Sequence, residues 1–88
     1  MDIAHPGWIP LLLPDLGADS VQVVQWLVDT PANVVEGDRI LELLADGVLF
    51  HLSTTGTGQL ARQDCRRGCF VTKGETLGWI DPAVQVGF

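Results

Sequence analysis

The alternation of apolar and polar positions predicts short strands separated by turns, and it is clearest over residues 40–52. Asp46-Gly47 stands there between two apolar arms. A two-residue Asp-Gly loop suits a type I′ turn, which needs positive φ at both central residues. The spacing predicts a β-hairpin that pairs Ala45 with Val48, Leu44 with Leu49 and Leu43 with Phe50. Because side chains alternate between faces, Leu43 and Phe50 are expected to point inward. Leu44 and Leu49 are expected to point outward, as an apolar pair near an exposed tip.

Around this hairpin the same reading places the other elements. Residues 1–9 lack periodicity and read as an irregular arm, with Trp8 and Ile9 apolar enough to dock. Leu11, Leu12 and Leu13 lie between Pro10 and Pro14 and form a short strand whose prolines belong at its edges. Residues 15–20 are a turn by composition, and residues 21–28, β-branched and containing Trp26, are a strand. Residues 29–33 break it, and residues 34–39 turn into the hairpin. Residues 53–58 read as loop or extended chain, 59–65 as a weaker strand, and 66–68 as a turn. Phe70 and Val71 lead into a turn at 73–75, residues 76–80 form the last strand, and Val84 and Val86 in the tail offer a short pairing.

Sliding the sequence by 37 residues places Val34 on Val71, Gly37 on Gly74, Asp38 on Glu75, Ile40 on Leu77 and Leu43 on Ile80. Two similar halves are implied, each a strand, a Gly-acidic turn and a further strand. The expectation is an all-β sandwich of two sheets with approximate two-fold symmetry, a barrel being the adjacent possibility.

At 88 residues the chain reads as one domain, residues 10–88 behind the arm, long enough to bury about 60% of its unfolded surface. Hydrophobic residues make up 47% and charged residues 18%, which argues for a packed core. The net charge of −6 repels nucleic-acid phosphates, so no nucleic-acid partner is expected; the cluster Arg62, Arg66 and Arg67 reads as a solvated loop, with a patch for a small anion or an acidic partner as the lesser alternative. No stretch reaches the ~20 apolar residues of a membrane-spanning helix. The first residues lack the charged start and apolar run of a signal peptide, so a cytoplasmic location without membrane contact is expected. Cys65 and Cys69 are too few for a disulfide framework, and a zinc site needs about four ligands, whereas His5 and His51 lie in unrelated contexts. Reduced thiols are expected, Cys65 buried and Cys69 near a turn, with no metal.

Several segments together resemble the biotinyl/lipoyl domain family, most of all the lipoyl domains of 2-oxo acid dehydrogenase acyltransferases. Residues 14–17 are similar to that family's opening, 24–28 to its first long strand, and 34–43 to its turn and ascending hairpin arm. Gly58 resembles its glycine after the hairpin, and Gly68 with residues 71–80 its second half. The resemblance covers about residues 11–81 and implies a flattened barrel of two four-stranded antiparallel sheets with quasi-two-fold symmetry, the biotinyl/lipoyl-like hammerhead. In the family an Asp-Lys pair tops the hairpin, and the lysine amine carries lipoate or biotin. Here Asp46 matches the aspartate and Gly47 occupies the lysine position, so no lipoate or biotin can attach there. Pro31 also stands where the family often has glycine, and Leu44 and Leu49 replace positions that are usually polar.

Three readings of function follow. The first is a non-catalytic protein-binding or structural module that lacks the acceptor lysine. Its expected contact surface is Leu44, Val48, Leu49 and His51 beside Asp46, and its partner is a protein, with a 2-oxo acid dehydrogenase or carboxylase complex implied by the resemblance. The second is a swinging-arm carrier modified elsewhere, for which Lys73 is the only side-chain amine. The third is an enzyme, but no Ser/His/acid or Cys/His arrangement has a recognisable spacing, and Cys65 with His51 is the nearest approach to a nucleophile and base. The first reading is preferred, with no catalytic residues.

Overall fold

A computed structural model describes residues 6–83. Its elements are β1 (Ile9–Leu12), β2 (Val21–Trp26), β3 (Ala32–Val34), β4 (Arg39–Ala45), β5 (Val48–Ser53), β6 (Gly58–Gln63), β7 (Phe70–Val71) and β8 (Thr76–Asp81). They form two four-stranded antiparallel sheets, ordered β1-β8-β6-β3 and β5-β4-β2-β7. Helix is absent among the described residues. The all-β architecture of two four-stranded sheets is therefore as expected.

The repeat in the sequence is a repeat in the pairing. Trp26↔Leu41, Gln25↔Glu42, Val23↔Leu43 and Gln22↔Leu44 between β2 and β4 recur, 37 residues on, as Gln63↔Gly78, Arg62↔Trp79, Leu60↔Ile80 and Gln59↔Asp81 between β6 and β8. The interruption of register falls at the same place in both. The Asp38 N–H bonds to the Val35 carbonyl at 2.9 Å and the Glu75 N–H to the Thr72 carbonyl at 3.1 Å. In each turn the acidic side chain accepts from the first residue, Asp38 from Val35 at 2.8 Å and Glu75 from Thr72 at 3.2 Å. Gly37 and Gly74 supply the left-handed backbone of these turns, at φ 93° and 83°.

Side chains tie the halves together reciprocally. The Trp26 indole N–H donates to the Cys65 carbonyl at 2.9 Å, and Gln63, 37 residues after Trp26, donates to the Val28 carbonyl at 2.9 Å. β1 completes the second half by taking beside β8 the place that β5 takes beside β4. Ile9↔Ile80, Pro10↔Trp79 and Leu11↔Gly78 answer Phe50↔Leu43, His51↔Glu42 and Leu52↔Leu41.

The core lies between the sheets. Leu11, Leu13, Val21, Val23, Val34, Ile40, Leu41, Leu43, Ala45, Leu60, Cys65, Val71, Leu77 and Ile80 are its buried side chains. Burying such a side chain contributes roughly 1.5–3 kcal/mol, which here offsets the cost of ordering so many turns.

Some boundaries differ from the sequence expectation. Ile9 belongs to β1 rather than to an arm, and Pro10 sits inside that strand, where an edge position spares its missing N–H. Ala32 and Asn33, expected in a break, pair with Leu60 and Gln59. β2 ends at Trp26 rather than Val28, although the Leu27 N–H still reaches the Ile40 carbonyl at 2.8 Å. Phe70 and Val71 pair with Gln22 and Val21 as a short strand. The pairing expected of Val84 and Val86 lies outside the described residues.

Candidate functional site

The hairpin forms in the expected register: Ala45 opposes Val48, Leu44 opposes Leu49 and Leu43 opposes Phe50. Asp46 and Gly47 have φ of 49° and 76°, the two positive values a type I′ turn requires. Asp46 tolerates this conformation because its short polar side chain is among the few that do, and Gly47 because it has no Cβ. A Cβ built on Gly47 would meet no atom within 4 Å, so the position that carries the acceptor lysine in the resembling family points into open space. The residues present do not fit a lipoyl or biotinyl group there, since glycine offers no amine for the amide bond.

Alternation divides the hairpin as expected. Leu43 is 1% exposed, and Phe50 packs partly buried against the core. Leu44 and Leu49, on the other side of the sheet, are 37% and 50% exposed. Val48 is also exposed, but alternation places it on the side away from Leu49, at the tip where the core has ended.

The outer face carries two cross-strand rows. In one, Gln25 donates to Glu42 at 2.5 Å and the His51 ring lies 3.1 Å from the other Glu42 oxygen. The Gln25 hydrogen bond, followed by that of His51, holds the Glu42 carboxyl below its usual range despite some desolvation. In the next row Phe70 opposes Gln22, Gln22 opposes Leu44, and Leu44 opposes Leu49, so three exposed apolar side chains and one glutamine cross the whole sheet. Phe70, exposed more than any other large apolar residue described here, was not among the expected contact residues. Its place in the row depends on the pairing of β7 with β2, which no local pattern announces.

The other sheet holds the equivalents of both rows. Arg62 and Trp79 occupy the places of Gln25 and Glu42, with the guanidinium 5.9 Å from the indole centroid. Asp64 accepts from Arg62 Nε at 2.6 Å and from the Trp79 indole N–H at 2.8 Å. Asn33, Gln59 and Asp81 occupy the places of Phe70, Gln22 and Leu44. The fold therefore accepts Asn33 and Asp81 in one half at the places where the other half presents Phe70 and Leu44.

Arg62, and after it the Trp79 N–H, holds the Asp64 carboxyl below its ordinary value of 3.8. With the folded value depressed, this contact stabilises fully above the ordinary value and its contribution is lost as pH falls through the lowered one. Thermal melts from about pH 5 to about pH 2 are expected to show a shallower acid-side loss for Asp64→Asn than for the unsubstituted chain, together with a lower midpoint near neutrality.

The nucleophile-and-base pairing of Cys65 with His51 does not assemble. Cys65 is buried, its thiol donates to the Leu77 carbonyl at 3.7 Å, and burial pushes its pKa up to about 11. His51 stands on the outer face of the other sheet against Glu42. Both cysteines are free thiols, with Cys69 exposed. No cluster of His, Cys, Asp or Glu among the described residues could hold a metal ion, and no described helix is long and apolar enough to cross a membrane. Lys73, 71% exposed and 3.8 Å from Asp15, lies in the turn between β7 and β8, whose counterpart holds Glu36. Compared with known proteins, the chain matches no family model and no curated protein.

Proposed function

We propose that this chain is a biotinyl/lipoyl-like domain that carries no arm and acts as a non-catalytic protein-binding module through the outer face at its hairpin tip. What carries this is the exposed apolar trio Phe70, Leu44 and Leu49 around Gln22, where the other sheet has Asn33 in the place of Phe70 and Asp81 in the place of Leu44. Packing imposes no apolar choice at these places, and contiguous exposed apolar side chains mark association sites. Gly47 supports the same reading from the chemical side, since a tip without an amine can meet a partner but cannot deliver a cofactor to it.

The resemblance implies a partner from a 2-oxo acid dehydrogenase or carboxylase complex, and the first residues, unlike a signal peptide, favour the cytoplasm as the place of that encounter. The competing reading, a carrier modified at Lys73, predicts a different mass for the same chain. Intact mass spectrometry of the protein purified from its native cells is expected to give the unmodified mass. An added lipoyl or biotinyl group would replace the binding module with the carrier.

A further inference from the structure

We propose that two copies of this chain associate edge to edge through β5, joining their β5-β4-β2-β7 sheets into one continuous sheet around a two-fold axis. Four strands lie at sheet edges, and three of them are blunted. β1 has four residues and contains Pro10, β3 has three residues directly after Pro31, and β7 has two. Short strands and prolines are the usual protection of an edge against further pairing. β5 has six residues, no proline and no lysine, and none of the described strands lies beyond it. The internal repeat sharpens the contrast, because Pro10 opposes Trp79 in the place where His51 opposes Glu42. Among the described residues, the same edge is closed in one half of the molecule and open in the other.

The free groups of this edge follow from the turn. In a two-residue hairpin the flanking pair, Ala45 and Val48, is hydrogen-bonded, and such pairs alternate along an antiparallel ladder with pairs that are not. Leu43·Phe50 and Leu41·Leu52 are then the further bonded pairs, while the N–H and C=O of Leu49 and His51 point away from β4.

These groups are complementary to themselves. An antiparallel β5 pair centred on Phe50 sets Leu49 of one copy against His51 of the other, and the reverse, so that four outward N–H groups and carbonyls are satisfied reciprocally. The same register opposes Phe50 to Phe50 and Val48 to Leu52, and it opposes no like charges. Side chains at the open edge need such cover. Phe50 and Leu52 face the core yet stay only partly buried, whereas Leu11, the counterpart of Leu52 beside β8, is 3% exposed. A second copy covers both aromatic rings, and no foreign strand is required to match them.

The test is sedimentation equilibrium of the full chain from about 1 µM to about 1 mM. The unsubstituted chain is expected to pass from one chain mass to two and stop there, because a two-fold contact closes on itself. His51→Pro removes an N–H that points outward and leaves the bonds to β4 in place. It should weaken association about 10- to 100-fold in a chain that stays folded, by losing one hydrogen bond from each copy, its melting temperature lowered only by loss of the exposed His51–Glu42 contact. Leu49→Lys, which places a charge on the edge, is expected to do the same and serves if the proline variant does not fold, with Leu44→Lys, on the same outer face but in the inner strand β4, expected to associate as the unsubstituted chain does. Amide exchange at Leu49 and His51 should slow as concentration rises. A chain that stays monomeric throughout, one that grows beyond two copies, or folded edge variants that associate as well as the unsubstituted chain would each overturn the proposal. The last result would move the contact to another surface.

Discussion

Gly58→Ala is expected to cost the fold about 3 kcal/mol or more, the steepest loss from adding a single methyl group to this chain. Gly58 opens β6 and opposes Val34. A Cβ there would lie 2.3 Å from the Asp81 carbonyl oxygen and 2.9 Å from both the Asp81 carbonyl carbon and the Pro82 Cα. All three atoms are backbone, so no side-chain rotation relieves the overlap. Relief requires β6 to move away from β8 at Gln59↔Asp81, beside the buried Leu60 and Ile80. The repeat sets Val21 in the equivalent place of the first half, so the demand for glycine comes from the approach of Asp81 and Pro82 together with the local backbone of Gly58 at φ 156°. Urea unfolding measures the cost, with Gly74→Ala as the comparison. Nothing lies within 4 Å of that Cβ, and only the positive φ of 83° opposes it, at about 1 kcal/mol. Equal losses in the two variants would show that the strands separate freely at Gly58.

Gly47→Lys is expected to convert a chain that lipoate or biotin ligase leaves untouched into one that the ligase acylates. The turn already presents this position at an exposed tip with no atom within 4 Å of a Cβ, and Asp46 precedes it as in the resembling family. A lysine at φ 76° is strained by about 1 kcal/mol, which the hairpin tolerates because Leu41, Leu43 and Ala45 stay anchored in the core. Intact mass after incubation reads the result, since the unsubstituted chain should gain nothing and the variant one acyl group. If the variant also gains nothing, Leu44→Thr with Leu49→Thr in the same chain tests whether the outer leucines block the ligase. Failure of that triple variant would count against a scaffold related to the carriers.

The sequence determined the hairpin, because a type I′ turn is local chemistry and an alternation of period two on both arms leaves one register that buries Leu43 while exposing Leu44. It also determined the two-fold plan, because the Gly-acidic turns at Gly37 and Gly74 each carry their own hydrogen bonds and recur at a fixed interval. The missing amine at Gly47 needed no structure either. What tertiary structure alone decided was set by partners distant in the chain. β3 and β7 have three and two residues, too few to show any alternation, and exist as strands only because β6 and β2 lie beside them. Pro10 joined a strand because β1 lies at an edge, where the absent N–H has no bond to lose. Phe70 joined the outer row through Gln22, and among the described strands β5 is the edge that neither a proline nor a short length blunts, whereas its counterpart β1 carries Pro10. Local propensity acts over a few residues, whereas these relations depend on which backbones lie side by side, and only the packed sheets fix that.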